Sequence, residues 1–253
     1  MSSLLVAAIV FFCAFGGSII GIYLHARLPD RHQNAESKDV VKLVMGLIAT
    51  MTALVLGLLI AASHTFYNTQ QGEMQQLGVD VVLLDQMLVR YGPEAQPARL
   101  VLRKDLAGVV LAISPVEGVG SGSMPLGRTS LGKQDIFGLV QSLTPSNASQ
   151  GFDQSQAVTL LTKIAVTRLL IHEQSSSVLP IPLVVVLVAW LTILFVGFGM
   201  FANLNATVLM ALFVGALSVA GAVFLIAEMG HPYTGIMRIS YAPLQNALAQ
   251  ITD

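Results

Sequence analysis

Three long stretches of this chain carry no charge at all, and they decide what it can fold into. Residues 4–24, 43–63 and 174–227 contain no Asp, Glu, Lys or Arg. A hydrocarbon core of about 30 Å is crossed by about 20 apolar helical residues. The first two stretches fit one crossing each, and the third fits two, with Asn203, Leu204 and Asn205 as the break between them. The expected fold is therefore all-α. It is a polytopic membrane protein with four transmembrane helices, at 4–24, 43–63, 182–202 and 206–227. The helices form two hairpins, 1–63 and 178–228, separated by a helical extramembrane bundle at 64–177 and followed by an amphipathic tail at 229–253.

Charged residues make up 11% of the chain, against about 25% in an ordinary soluble domain. The formal net charge of −1 offers nothing to a nucleic acid. The single cysteine, Cys13, lies inside the first apolar stretch and can form no internal disulfide. That stretch lacks a positive head and is longer than a signal-peptide core, so it reads as a retained helix.

Small residues recur at helical spacing. Gly17 and Gly21 are four apart on the first helix, a spacing that lets two membrane helices approach closely. On the second helix, Gly46, Thr50, Ala53, Gly57, Ala61 and His64 share one face, while Leu47, Leu54 and Leu58 occupy another. The fourth helix has its own small stripe, which includes Gly215 and Ser218. Each stripe has two readings: tight packing against another helix, or, on the second helix, the wall of a water-filled path. Gly46, Ala53 and Gly57 would leave room there. Thr50 would offer a hydroxyl, and His64 would stand at the outer end with an ordinary pKa near physiological pH. These five are the pore-lining candidates. Gly17, Gly21, Gly215 and Ser218 are the packing candidates.

In the insert, Leu77, Val81, Leu84, Leu88 and Tyr91 form an apolar seam that Gly92-Pro93 ends. Leu102, Leu106, Val109 and Ile113 repeat the rhythm. A short helix at 133–143 follows a Gly/Ser-rich loop at 117–132. The last helix, 155–174, shows Val158, Leu161, Ala165, Leu169 and His172 along one face. In the tail, Leu244, Leu248 and Ile251 suit either the membrane surface or the bundle.

Arg27, Arg31, Lys38 and Lys42 flank the first connection, which the positive-inside rule places in the cytoplasm. Both termini and the insert are then expected outside the inner membrane of a bacterium, on its periplasmic side.

No catalytic constellation is present. There is no His-Glu-x-x-His, no Gly-x-Ser-x-Gly and no phosphate-cradling loop, so no enzyme is expected. No ionisable side chain lies at mid-membrane, which argues against a proton-coupled carrier. His25, Asp30 and His32 share a loop, but their spacing matches no standard metal site; no metal and no cofactor are expected. Glu228 reads as an interfacial carboxylate reaching water, with an ion pair to the tail, through His231 or Arg238, as the sharper alternative. Asn147-Ala148-Ser149 and Asn205-Ala206-Thr207 match glycosylation sequons.

Several segments carry a family resemblance. They are Leu28-Pro29 followed by His32, Ala53-Leu54-Val55-Leu56-Gly57, and Gly197-Phe198-Gly199-Met200-Phe201 leading to Asn205-Ala206-Thr207. The stretch 211–221 and the tail His231-Pro232-Tyr233-Thr234-Gly235 with Ile239-Ser240 complete the set. With these the chain resembles the bestrophin-like family of four-span, mostly bacterial membrane proteins. The name links that family to bestrophins, oligomeric anion channels lined by their second membrane helix. The chain departs from bestrophins in lacking an evident acidic calcium clasp, and a periplasmic insert would differ from their cytosolic bulk. The resemblance implies a homo-oligomeric ion channel that conducts anions, with the lipid bilayer and further copies of itself as partners and small ions as cargo. The rival expectation is a non-conducting sensor or scaffold whose extramembrane domain binds a partner or ligand.

Overall fold

The computed structural model describes residues 2–27, 35–113, 134–173, 181–202, 205–233 and 235–252. They form eight α-helices: α1 Ser3–Arg27, α2 Ala35–Tyr91, α3 Gln96–Ile113, α4 Gln134–Gln141, α5 Ala148–Glu173, α6 Ile181–Phe201, α7 Ala206–Met229 and α8 Ala242–Thr252. No strand occurs among the described residues. Four helices, α1, α2, α6 and α7, are long and apolar enough to cross a membrane. The protein is an all-helical, multi-pass membrane protein. The loop residues Asp30 and His32, the Gly/Ser-rich loop at 117–132, and Asn203 and Leu204 lie outside the described residues.

The second helix does not stop at residue 63. α2 runs unbroken for 57 residues, about 85 Å at 1.5 Å per residue. His64 therefore stands in mid-helix rather than at a helix end. Past residue 63 the polar residues leave the i→i−4 ladder intact, because none of them is proline. The helix ends where Gly92 takes φ 126, in the left-handed region that glycine enters without strain, and Pro93 follows with no N–H to donate.

The chain divides into two compact units. The first contains α1, α2 up to Tyr67, α6 and α7. Its core joins Val10, Leu59, Leu187, Leu191, Val223 and Ile226. A neighbouring cluster joins Ala14, Phe195, Leu212 and Ala216, flanked by Phe11 and Phe15. Phe213 meets both of these rings edge-on at about 5.5 Å. α1 packs most extensively on α6 and next on α7.

The second unit holds α2 from Asn68 onward, α3, α4, α5 and the residues from Pro232. The seam Leu77, Val81, Leu84, Leu88 and Tyr91 is at most 3% exposed, and Leu102, Leu106 and Val109 are at most 1%. α5 differs from expectation. Leu169 is 61% exposed, and the buried side is Ala157, Leu161, Ile164 and Ile171. The true face is turned because it includes Asp153, 2% exposed and paired with Arg90. A carboxylate counted as surface pulls the apparent stripe off its axis. The tail takes the bundle rather than the membrane surface: Leu244, Ala247 and Ile251 of α8 are at most 2% exposed, and α8 lies against α3.

Ion pairs on buried aspartates tie the helices of this unit together. Arg99 on α3 donates to both carboxylate oxygens of Asp85 on α2, at 2.8 and 2.9 Å. Lys163 on α5 reaches Asp80 on α2 at 2.9 Å, and Arg90 reaches Asp153. Asp80 and Asp85 thus each accept from a different neighbouring helix. Asn147 begins α5 as a helix cap, its Oδ1 accepting from the Gln150 N–H at 2.8 Å.

Candidate functional site

Successive residues of an α-helix turn by about 100°. Three consecutive positions of α2 therefore start three faces, and the three behave differently. Met45, Thr52, Leu59 and Ser63 are buried, Leu59 within the first core cluster and Met45 beside Gly197 of α6. Leu43, Leu47, Leu54 and Leu58 are 61–75% exposed, an apolar face suited to lipid. Between them lies the small-residue face. Gly46, Thr50, Ala53, Gly57, Ala61 and His64 are all exposed. A Cβ added at Gly46 or Gly57 would meet nothing within 4 Å. The pore-lining candidates thus share one open face, and no described residue comes within 4 Å of a Cβ placed at Gly46 or Gly57. Thr50 donates its hydroxyl to the Leu47 carbonyl at 2.8 Å, which satisfies it within the helix.

The packing candidates separate. Gly21 sits against the α6 backbone, where a Cβ would come within 2.0 Å of the Val196 carbonyl oxygen. Gly17 is nearly as tight, 3.2 Å from the Thr192 carbonyl oxygen. Its counterpart is Gly199, where a Cβ would come within 2.1 Å of the Ser18 carbonyl oxygen. Gly199 was visible in the sequence only as part of the family segment at 197–201. Gly215 faces the Phe195 ring at an ordinary 3.6 Å. Ser218 is exposed and donates to the Val214 carbonyl of its own helix, so it joins no contact of that kind within the chain.

Glu228 is corrected. It is 2% exposed and so does not reach water. Its neighbour His231 places Nδ1 2.9 Å from the Ala227 carbonyl. Arg238 is exposed, its Nε donating to the Gly235 carbonyl.

Sequence reasoning missed a polar cluster at the C-terminal segment. The Tyr233 hydroxyl donates to Gln70 Oε1 at 2.5 Å, and Gln70 Nε2 donates to Glu73 Oε2 at 3.2 Å. Gln70 is fully buried. Burial pushes the Tyr233 hydroxyl well above its usual pKa of about 10, with Tyr241 and Glu73 adding to the effect, so it remains a donor. The signal available in sequence was the His231-Pro232-Tyr233 segment. Elsewhere in this unit, Asp85 holds the Arg99 guanidinium above its ordinary range. Burial lowers Arg168, against the opposing pull of Asp105. A groove of about 370 Å³ runs between α2 and α8, walled by Val79, Val82, Leu83 and Pro243 and rimmed by Gln75 and Asn246. No group of three or more metal-ligating side chains occurs among the described residues.

The Bestrophin-like domain matches residues 11–244, which include α2, the Gly199 approach and the Tyr233 segment. No curated protein and no solved structure matches the chain. With the domain covering nearly its whole length, four apolar helices able to span a bilayer and the tail signature in place, the chain belongs to the bestrophin-like family.

Proposed function

We propose that the chain is one subunit of a homo-oligomeric, non-enzymatic ion channel in a bacterial inner membrane, that the channel conducts anions, and that the small-residue face of α2 lines its path. The observation that carries this reading is the open face of α2. Glycines in a membrane helix commonly mark close helix contacts, yet among the described residues of their own chain Gly46 and Gly57 have nothing against them. The face is left for further copies of the chain or for water between copies. A ring of such faces would offer an ion space and several weak contacts rather than one deep site. Anion selectivity comes from the family link to bestrophins. The insert is assigned to the periplasmic side from the basic residues around the first connection.

The test is flux through purified protein in liposomes, with anion and cation gradients imposed separately. Thr50→Val should leave the oligomer intact and change selectivity, because it exchanges a hydroxyl for a methyl at nearly constant volume. Gly57→Leu should assemble and cut flux at least tenfold. If both variants assemble and conduct as the parent does, α2 does not line the path. If the parent moves no ion, the groove between α2 and α8 favours the rival reading, a non-conducting sensor or scaffold.

A further inference from the structure

The C-terminal segment carries a family signature that the channel reading does not use. Beyond Pro232 the chain folds back on itself. The Ile239 N–H donates to the Pro232 carbonyl at 2.9 Å, and Arg238 Nε donates to the Gly235 carbonyl at 2.8 Å. Gly235 sits at φ 95, in the left-handed region. Ile239 is 2% exposed, so the fold is anchored from within. This loop delivers Tyr233 to Gln70, which stands seven positions beyond residue 63 of α2. A second seat follows. Pro243 crosses Gly78 so closely that a Cβ there would come within 2.9 Å of the Pro243 carbonyl oxygen. From that point α8 lays Leu244, Ala247 and Ile251 into the bundle. One seat is polar and directional, the other apolar and steric, and both fall on the same helix.

We propose that residues 232–233 and 235–252 form a strap, clasped to α2 by the Tyr233–Gln70 hydrogen bond and seated at Gly78, which holds α2 just past its apolar run and thereby governs the conducting state. The strap stands on its own contacts; only its effect on flux rests on the channel reading. Tyr233 is a positioning residue here. Its hydroxyl fixes the Gln70 amide, whose nitrogen in turn holds Glu73. The bond is directional and its acceptor is fully buried, so breaking it weakens a buried polar network and gives the clasp a defined closed state.

The experiment compares the full chain with Tyr233→Phe, Gly78→Val and Gln245→Ala in lipid nanodiscs, by backbone hydrogen exchange. Tyr233→Phe keeps the ring and removes only the hydroxyl. Gly78→Val attacks the other seat and leaves the clasp chemistry intact. Both should speed exchange in residues 68–78 and 239–252 about tenfold, with residues 148–163 of α5 unchanged. Gln245 is exposed, and its replacement should change nothing. Parent-like exchange in both altered seats overturns the strap. So does acceleration spread evenly through α5, which would make the hydroxyl a general stabiliser. In liposomes, the two freed variants should change flux at least twofold. Freed exchange with unaltered flux removes the strap's hold on conduction. A silent parent protein is instead a failure of the channel reading, and the exchange result then decides the strap alone.

Discussion

Gly21 and Gly199 mark the place where α1 and α6 have no room for a side chain. Any Cβ at Gly21 would overlap the Val196 carbonyl, and any at Gly199 the Ser18 carbonyl. Gly21→Leu should therefore force the helices apart and cost about 1–3 kcal/mol. Thermal unfolding in mild detergent would register it, and a parent-like melting curve would show that the contact is not close. Gly46→Ala, in open space, should melt like the parent. A second contrast separates buried from exposed charge. Asp85 and Arg99 are 7% and 15% exposed, whereas Asp39 and Lys42 are 73% and 62% exposed and sit 3.7 Å apart. Asp85→Ala leaves a mostly buried guanidinium without its bidentate partner and should cost about 3 kcal/mol. Asp39→Ala should cost nothing measurable. Equal effects in chemical unfolding would refute the distinction.

At the scale of elements, α2 presents the strongest contrast between faces, and cysteine scanning can read it. In a Cys13→Ser background, cysteines at Gly46, Thr50, Ala53 and Gly57 should react with a charged thiol reagent at least tenfold faster than cysteines at Leu43, Leu47, Leu54 and Leu58. A uniform slow rate over both sets would leave the small face dry. The four spans were legible in the sequence because they carry no charge over the length a bilayer requires, and the apolar seam Leu77–Tyr91 because its burial follows uninterrupted periodicity. The α5 face was not, because Asp153 is buried beside Arg90 and hydropathy counts it as surface. Glu228 misled for the same reason: a carboxylate near a helix end looks interfacial until its burial is known. The continuity of α2 from the second span into the insert was legible, because the seam at 77–91 follows the span with no proline between them. The Tyr233–Gln70 bond joins positions 163 apart and left no periodic trace.

For the whole molecule, the proposed channel fixes an orientation and a closed assembly. In the proposed orientation the basic residues around the first connection face the cytoplasm and the insert lies outside. A cysteine at Gln86, exposed on the outer half of α2, should then react with an impermeant thiol reagent on intact cells in the Cys13→Ser background. Labelling only after lysis would invert the topology. Native mass spectrometry in mild detergent should show one discrete closed multimer, as cyclic assemblies do. A stable monomer would remove the channel reading. The pairing of α1 with α6 has a further consequence, for the order of biogenesis. The two helices that meet most closely in the first unit are separated by about 150 residues of chain. At a synthesis rate of roughly 5–20 residues per second, α1 waits about 8–30 s in the bilayer before its partner leaves the ribosome. During that interval Gly17 and Gly21 present a bare backbone groove to lipid. Nascent chains stalled before α6 should accordingly be held by insertion factors or cleared by membrane proteases, while chains stalled after it should resist both.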